Sequence, residues 1–408
     1  MARPVEARAT YALCAMLALA AVTISSLTQS SLLSEGGLGW DGAQYAQLTS
    51  QCWREPMRAL EPFVYRIGAP CIAALIPAPP KAALLIVNVA ASVLLLFMMA
   101  AWLRRWVTAA ILPWLLTAFA FHWLTPLRYS WWYPTYVDPP AMCVMTAALL
   151  VSNRAAPFIL LCTAGALFRE TMLLVPAAFV AGRLLSLTSW CRRFSWRDTI
   201  GDRRLQSAAA ALVGSLAGST VTHALVTPGS DYWMLDSALH WAYTKPMPSY
   251  PLAWFVAYGP MLALPLVHWQ PVAKWFRDAP EYAVLLAGVA ILGLVGGSDT
   301  ERFLLWGTPV VLVMIGLAAS EIDWRRSIGP LAVLTAGQIL NGRWFLLTPL
   351  ASVPAPHAWP LLTPLVAYRF EDLLSQSPDR ITSAVALIQY TALVITLFVW
   401  FRRRQASS

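Results

Sequence analysis

The stretch TYALCAMLALAAVTISSLTQSSLL, residues 10–33, leads through SEGGLG into Trp40-Asp41-Gly42-Ala43-Gln44-Tyr45. No charge interrupts residues 10–33, and about 20 apolar residues suffice to cross a bilayer. An acid so soon after such a run is costly unless it has a partner or a task. The short basic segment before it carries Arg3 and Arg8, and no clear small-residue cleavage site follows the run. It therefore reads as an uncleaved first span rather than a signal peptide.

The rest of the chain extends this pattern. Of 408 residues, 58% are hydrophobic and 12% charged, against about 25% charged in an average soluble domain. Mean hydropathy is +0.59. These values exclude an ordinary soluble fold and predict an all-α polytopic membrane protein. Further apolar runs lie near 81–103, 106–124, 137–152, 157–168, 171–187, 206–226, 253–269, 281–297, 302–319, 328–347 and 380–401. Together with the first they predict about twelve spans in one domain, 1–408. The short runs at 137–152 and 157–168 suggest half-helices or tilted pieces beside a cavity. No repeat, low-complexity tract or separate soluble domain stands out.

The net charge of +9 comes from 29 Lys and Arg against 20 Asp and Glu. The arginines sit in short loops, which points to orientation rather than nucleic-acid binding. Arg104, Arg105, Arg154, Arg183, Arg192, Arg193, Arg197, Arg203, Arg204, Lys274, Arg277, Arg325, Arg326 and Arg402 to Arg404 fall on one side if the runs alternate. By the positive-inside rule that side is the cytoplasm, and both termini face it. The arginine-, alanine- and proline-rich composition suggests a bacterial inner membrane. Opposite lie longer, aromatic-rich loops near 34–80, 125–136, 227–252, 298–301 and 348–379. Cys14, Cys143 and Cys162 lie in apolar runs and Cys191 in a basic loop. Cys52 and Cys71 share the first outer loop, and spacing leaves open whether they pair.

This topology gathers acids on the outer side: Asp41, Asp138 before Pro139-Pro140, Glu170 beside Arg169, and Asp299 and Glu301 beside Arg302. Buried charges need partners, and Arg66, Arg169 and Arg302 would supply them. Each also has a plainer reading. Asp41 and Asp138 suit helix N-termini, Asp299, Glu301 and Arg302 suit an interfacial ion pair, and Arg66 suits a snorkelling side chain. Arg169-Glu170 breaks apolar sequence, which favours a site role. His122, His268 and His357 read as packed polar residues before catalysts.

Trp40-Asp41-Gly42-Ala43-Gln44-Tyr45, followed by Tyr65-Arg66-Ile67 and Pro70, resembles the first outer loop of GT-C superfamily membrane glycosyltransferases. The resemblance is closest over Asp41–Pro70 and loose over most of the chain. It implies a GT-C-like bundle with a helical first periplasmic loop at 34–80. It also implies transfer of a sugar from a polyprenyl-phosphate donor to a lipid or glycan acceptor, with Asp41 as general base. Arg66, Arg169 and Arg302 would grip the donor phosphate; Asp138, Glu170, Asp299 and Glu301 would complete the binding site. Trp40, Tyr45, Trp131, Trp132 and Tyr133 would stack on sugars or anchor in the interface. Many family members carry paired acids where Gly42 and Ala43 follow Asp41, and a single carboxylate is a poor divalent-cation site. Asp41 is therefore expected to act as a lone base with no assigned cofactor, although a divalent cation stays open. Two other readings stand beside this one: a multi-span transporter or lipid-linked-sugar flippase, and a different membrane transferase or assembly protein.

Overall fold

In the computed structural model the apolar sequence is helical, because a helix satisfies its backbone polar groups within one segment. The structure describes residues 4–28, 31, 34–39, 41–122, 124–190, 201–245, 249–297, 300–323, 327–339 and 380–406. Among them, five helices are long and apolar enough to cross a membrane: Arg8–Leu27, Pro80–Leu103, Glu170–Leu187, Arg203–Leu225 and Thr300–Ser320. Two more crossings arise if each bent pair counts once: Tyr250–Tyr258 with Pro260–Val267, and Trp269–Asp278 with Pro280–Val295, each bent by 109°. This supports a helical, multi-pass membrane architecture.

The described residues thus hold five to seven full-length crossings against about twelve expected. Several apolar runs form only short helices. Leu112–Phe121, Asp138–Leu150 and Ala155–Gly165 have 10, 13 and 11 residues. At about 1.5 Å per residue they fall short of a ~30 Å hydrocarbon core. The run expected at 253–269 breaks where Gly259, at φ +73°, meets Pro260. Lys274 and Arg277, expected in a loop, lie on the Trp269–Asp278 helix. The run expected at 328–347 is described as helix over Ile328–Ile339, and its remainder lies outside the described residues.

The described residues form two apolar cores. The larger runs through the spans and is centred on the Thr308–Ser320 helix, buried almost throughout. The smaller lies beneath the 34–80 loop, where Tyr45, Leu48, Val64 and Ile67 meet Leu84 and Val87 of the Pro80–Leu103 helix. The loop itself holds the helix Gly42–Gln51, the strand β1 (Met57–Ala59), a 3₁₀ turn Phe63–Tyr65 and the helix Gly68–Ala73. A disulfide joins Cys52 to Cys71 across it. The small sheet was not foreseen: β1 pairs in parallel with β2 (Val226–Pro228), Met57 opposite Val226. It fastens the loop to the end of the Arg203–Leu225 helix, and Glu61 reinforces the join by accepting from the Tyr232 amide at 2.7 Å.

Candidate functional site

Asp41 stands at the N-cap position of the Gly42–Gln51 helix, yet its side chain makes no capping hydrogen bond. Its backbone carbonyl starts the helix, accepting from Gln44 and Tyr45 at 3.0 and 3.3 Å. The carboxylate points elsewhere, with Oδ2 3.5 Å from Arg302 Nη2, and the side chain is 22% exposed. The capping reading of Asp41 is therefore set aside.

Tyr133 orients the turn that presents this carboxylate. Its hydroxyl accepts from the Asp41 and Gly42 amides at 2.8 and 3.0 Å. Those amides belong to the unpaired donors of a helix start, so a side chain from another element supplies the missing cap. Thr135 Oγ1 donates to the Leu38 carbonyl at 2.5 Å and closes the turn from the other side. Gly42 is required there, because a Cβ would lie 1.9 Å from Thr135 Oγ1. The 133–136 segment is held in turn by Asn88, whose Nδ2 donates to the Pro134 and Tyr136 carbonyls at 2.8 and 2.6 Å.

Asp138 opens the Asp138–Leu150 helix and is 3% exposed. Arg302 Nε donates to its Oδ2 at 3.1 Å, and Arg169 pairs with its Oδ1. Arg302 thus bridges Asp138 and Asp41. The Arg169 guanidinium also lies over the rings of Phe303 and Trp306, 5.4 and 5.6 Å from their centroids. These contacts place a buried cation against π faces, which favour it.

A second pair adjoins the first through consecutive residues. Arg169 is extended, and Glu170 begins the 3₁₀ turn Glu170–Leu173 between two apolar helices. Glu170 is gripped by both arms of Arg66, with Nε donating at 3.0 Å to Oε2. Arg66 Nη1 donates to the Tyr45 hydroxyl at 2.8 Å. Burial disfavours the Arg66 cation, but Glu170 and Tyr45 more than offset it and hold its pKa above the ordinary arginine value. Burial raises the Tyr45 phenol against the pull of Arg66, and it raises Tyr133 well above its usual value. Both phenols are neutral at physiological pH.

The structure therefore gathers Asp41, Asp138, Glu170, Arg66, Arg169 and Arg302, each nominated from sequence, into two adjoining sets of ion pairs, Asp41–Arg302–Asp138–Arg169 and Arg66–Glu170. Glu301 is buried in the same short helix as Arg302, Thr300–Leu304. Trp40, Asp299 and His357 lie outside the described residues. The sugar-stacking roles do not suit three of the aromatics. Tyr45 and Tyr133 are fully buried and Trp132 nearly so, with the two tyrosine hydroxyls engaged by Arg66 and by the Asp41 turn. Trp131 keeps partial exposure. His122 is buried and bonded to the backbone at Gln338 and Ala257, a packed polar residue.

Sequence reading missed Asn88 and the anchoring roles of Tyr133 and Thr135. Asn88 left one signal, as a lone amide within an apolar run. Among the described residues, no group of three or more His, Cys, Asp or Glu is placed to hold a metal ion. The chain matches no family model, curated protein or solved structure.

Proposed function

We propose that the chain is a GT-C-like membrane glycosyltransferase that moves a sugar from a polyprenyl-phosphate donor to a lipid or glycan acceptor at the outer face, with Asp41 as general base. One observation carries this reading. Among the paired acids, Asp138 is enclosed, and Glu170, although 32% exposed, is occupied by both arms of Arg66. Asp41 is partly open to solvent and held by one long contact to Arg302. A base must reach the proton it removes, and Asp41 combines access with a fixed backbone.

In the proposed reaction the acceptor hydroxyl oxygen attacks the anomeric carbon. The bond from that carbon to the phosphate oxygen breaks, polyprenyl phosphate leaves, and the hydroxyl proton passes to the Asp41 carboxylate. Arg302 lies beside the base, where a guanidinium stabilises a leaving phosphate. Arg66 and Arg169 brace the site through Glu170 and Asp138.

The finer topology belongs to the same proposal: about twelve crossings in a bacterial inner membrane, both termini cytoplasmic, and the 34–80 loop periplasmic. The Cys52–Cys71 pair supports that side, because disulfides persist in oxidising compartments. The two helix pairs bent by 109° favour a second reading, a transporter or lipid-linked-sugar flippase. Against it, the ion pairs draw in Asp41 and Arg66 from the 34–80 loop, whereas transporter sites lie near the bilayer midplane.

Deleting the gene and profiling polyprenyl-linked sugars by mass spectrometry tests the assignment. One polyprenyl-phosphate sugar should accumulate while an envelope glycan loses that sugar, and complementation with Asp41→Asn should fail at normal expression. Full complementation by Asp41→Asn would overturn the base assignment. Flipping by the purified protein in vesicles, with no glycan product, would favour the second reading.

A further inference from the structure

The helix Met234–Thr244 stands apart from the ion network and has no buried residue. It follows β2, whose pairing with β1 ties it to the loop that carries Asp41. Its inner side packs on the Pro280–Val295 helix, and Lys245 just beyond it donates from Nζ to the Gly293 carbonyl at 2.8 Å. Its outer side is apolar. Leu235, Leu239 and Tyr243 recur every fourth residue and are 57%, 49% and 86% exposed. Asp236 and His240 form the neighbouring polar stripe, also exposed. Trp233, at the helix start, is 75% exposed.

We infer that this helix lies flat in the outer leaflet, with Leu235, Leu239 and Tyr243 inserted among lipid chains and Trp233 at the headgroup level. Continuity with the lipid-facing surface of the spans favours lipid as the occupant. The chain enters from the membrane-crossing helix Arg203–Leu225, whose outward side exposes Val213, Leu216, Val221 and Leu225. The helix rests on Pro280–Val295, which exposes Ile291 to the same surroundings. Eleven residues span about 16 Å, a length suited to lying in the interface rather than crossing it. Tryptophan and tyrosine favour that depth. No lysine or arginine occurs between Gly229 and Thr244, so apolar area drives the insertion and anionic lipid is not needed. The helix thereby pins the 226–245 segment, and through β1–β2 the first outer loop, to the membrane surface.

Nitroxide scanning tests this in the full-length protein, reconstituted in phosphatidylcholine vesicles. Cys14, Cys143, Cys162 and Cys191 are replaced by alanine, the Cys52–Cys71 disulfide is kept, and labels are placed singly at 235, 236, 239, 240 and 243. Labels at 235, 239 and 243 should collide several-fold more with oxygen than with a water-soluble nickel chelate. Labels at 236 and 240 should show the reverse, which makes them controls within the same folded helix. The same alternation is expected when anionic lipid is added. Equal nickel accessibility at all five positions would place the helix in water and overturn the proposal. Shielding of 235, 239 and 243 from both reagents would do so too, by indicating a protein partner such as a second copy. Insertion only in anionic vesicles would overturn its apolar basis.

Discussion

Asp41 and Asp202 both occupy N-cap positions, and the chain uses them differently. Asp202 caps the Arg203–Leu225 helix in the ordinary way, its Oδ1 accepting from the Leu205 amide at 2.8 Å. The same carboxylate takes two bonds from Arg183, at 3.0 and 2.5 Å, in a setting where Arg183 is one-third exposed. Asp41 caps nothing. Tyr133 takes over the helix-start amides, and the Asp41 carboxylate turns toward Arg302 and a network whose other acid, Asp138, is sealed between two arginines. A carboxylate that caps its own helix is architecture. One relieved of that duty by a residue 92 positions away keeps its oxygens free to face Arg302.

The largest expected effect lies at the sealed end of the network. Asp138→Ala leaves Arg169 and Arg302 without their shared acid, and breaking a buried pair typically costs about 3–5 kcal/mol. Its thermal midpoint in detergent should fall well below that of Asp202→Asn. A drop no larger than that of Asp202→Asn would remove the distinction between the two regions.

Asp41→Asn should separate activity from stability. Removing a general base lowers the transfer rate by about 10²–10⁴-fold. The thermal midpoint should barely move, because the contact to Arg302 is long and partly exposed. Asp202→Asn should leave transfer unchanged.

Tyr133→Phe strips the acceptor from two amides and should destabilise by about 1–3 kcal/mol. Transfer should fall as the Asp41 turn loosens. Gly42→Ala should do similar damage through its clash with Thr135. A double mutant with Thr135→Ala should recover part of the loss, which a double-mutant cycle measures.

The smallest effect is at Asp202 itself. Hydrogen bonds from Arg183 hold its carboxyl below the ordinary aspartate value. A depressed folded-state pKa gives stability that is present above the unfolded value, about 3.9, and is lost as pH falls through the folded value. Asparagine caps as well as aspartate, so Asp202→Asn isolates the ion pair. The two proteins should differ by less than about 1 kcal/mol at pH 7 and converge in acid. A gap that widens on acidification would contradict this account.

Much of the site was legible because its members are charged within apolar surroundings. Asp41, Asp138, Arg169, Glu170 and Arg302 stand out for the same reason that they are costly. The structural roles of Tyr45, Tyr133 and Asn88 did not show, because the two tyrosines read as sugar platforms or interface anchors and one amide as a packing accident. Their roles depend on partners from 21 to 92 residues away. Apolar runs located the helices but not their breaks. Gly259-Pro260 and Ala279-Pro280 mark bends, and a hydropathy run does not register a bend.

By itself the sequence determined that the chain is a helical membrane protein and which residues are expensive to bury, since both follow from local transfer free energies. The sealing of Asp138, the partial exposure of Asp41, the Arg302 bridge between them and the release of Asp41 from capping by Tyr133 all arise from the packing of distant elements. Those outcomes rest on distances between elements remote in sequence, and Coulombic and hydrogen-bond energies depend on separation in space rather than along the chain.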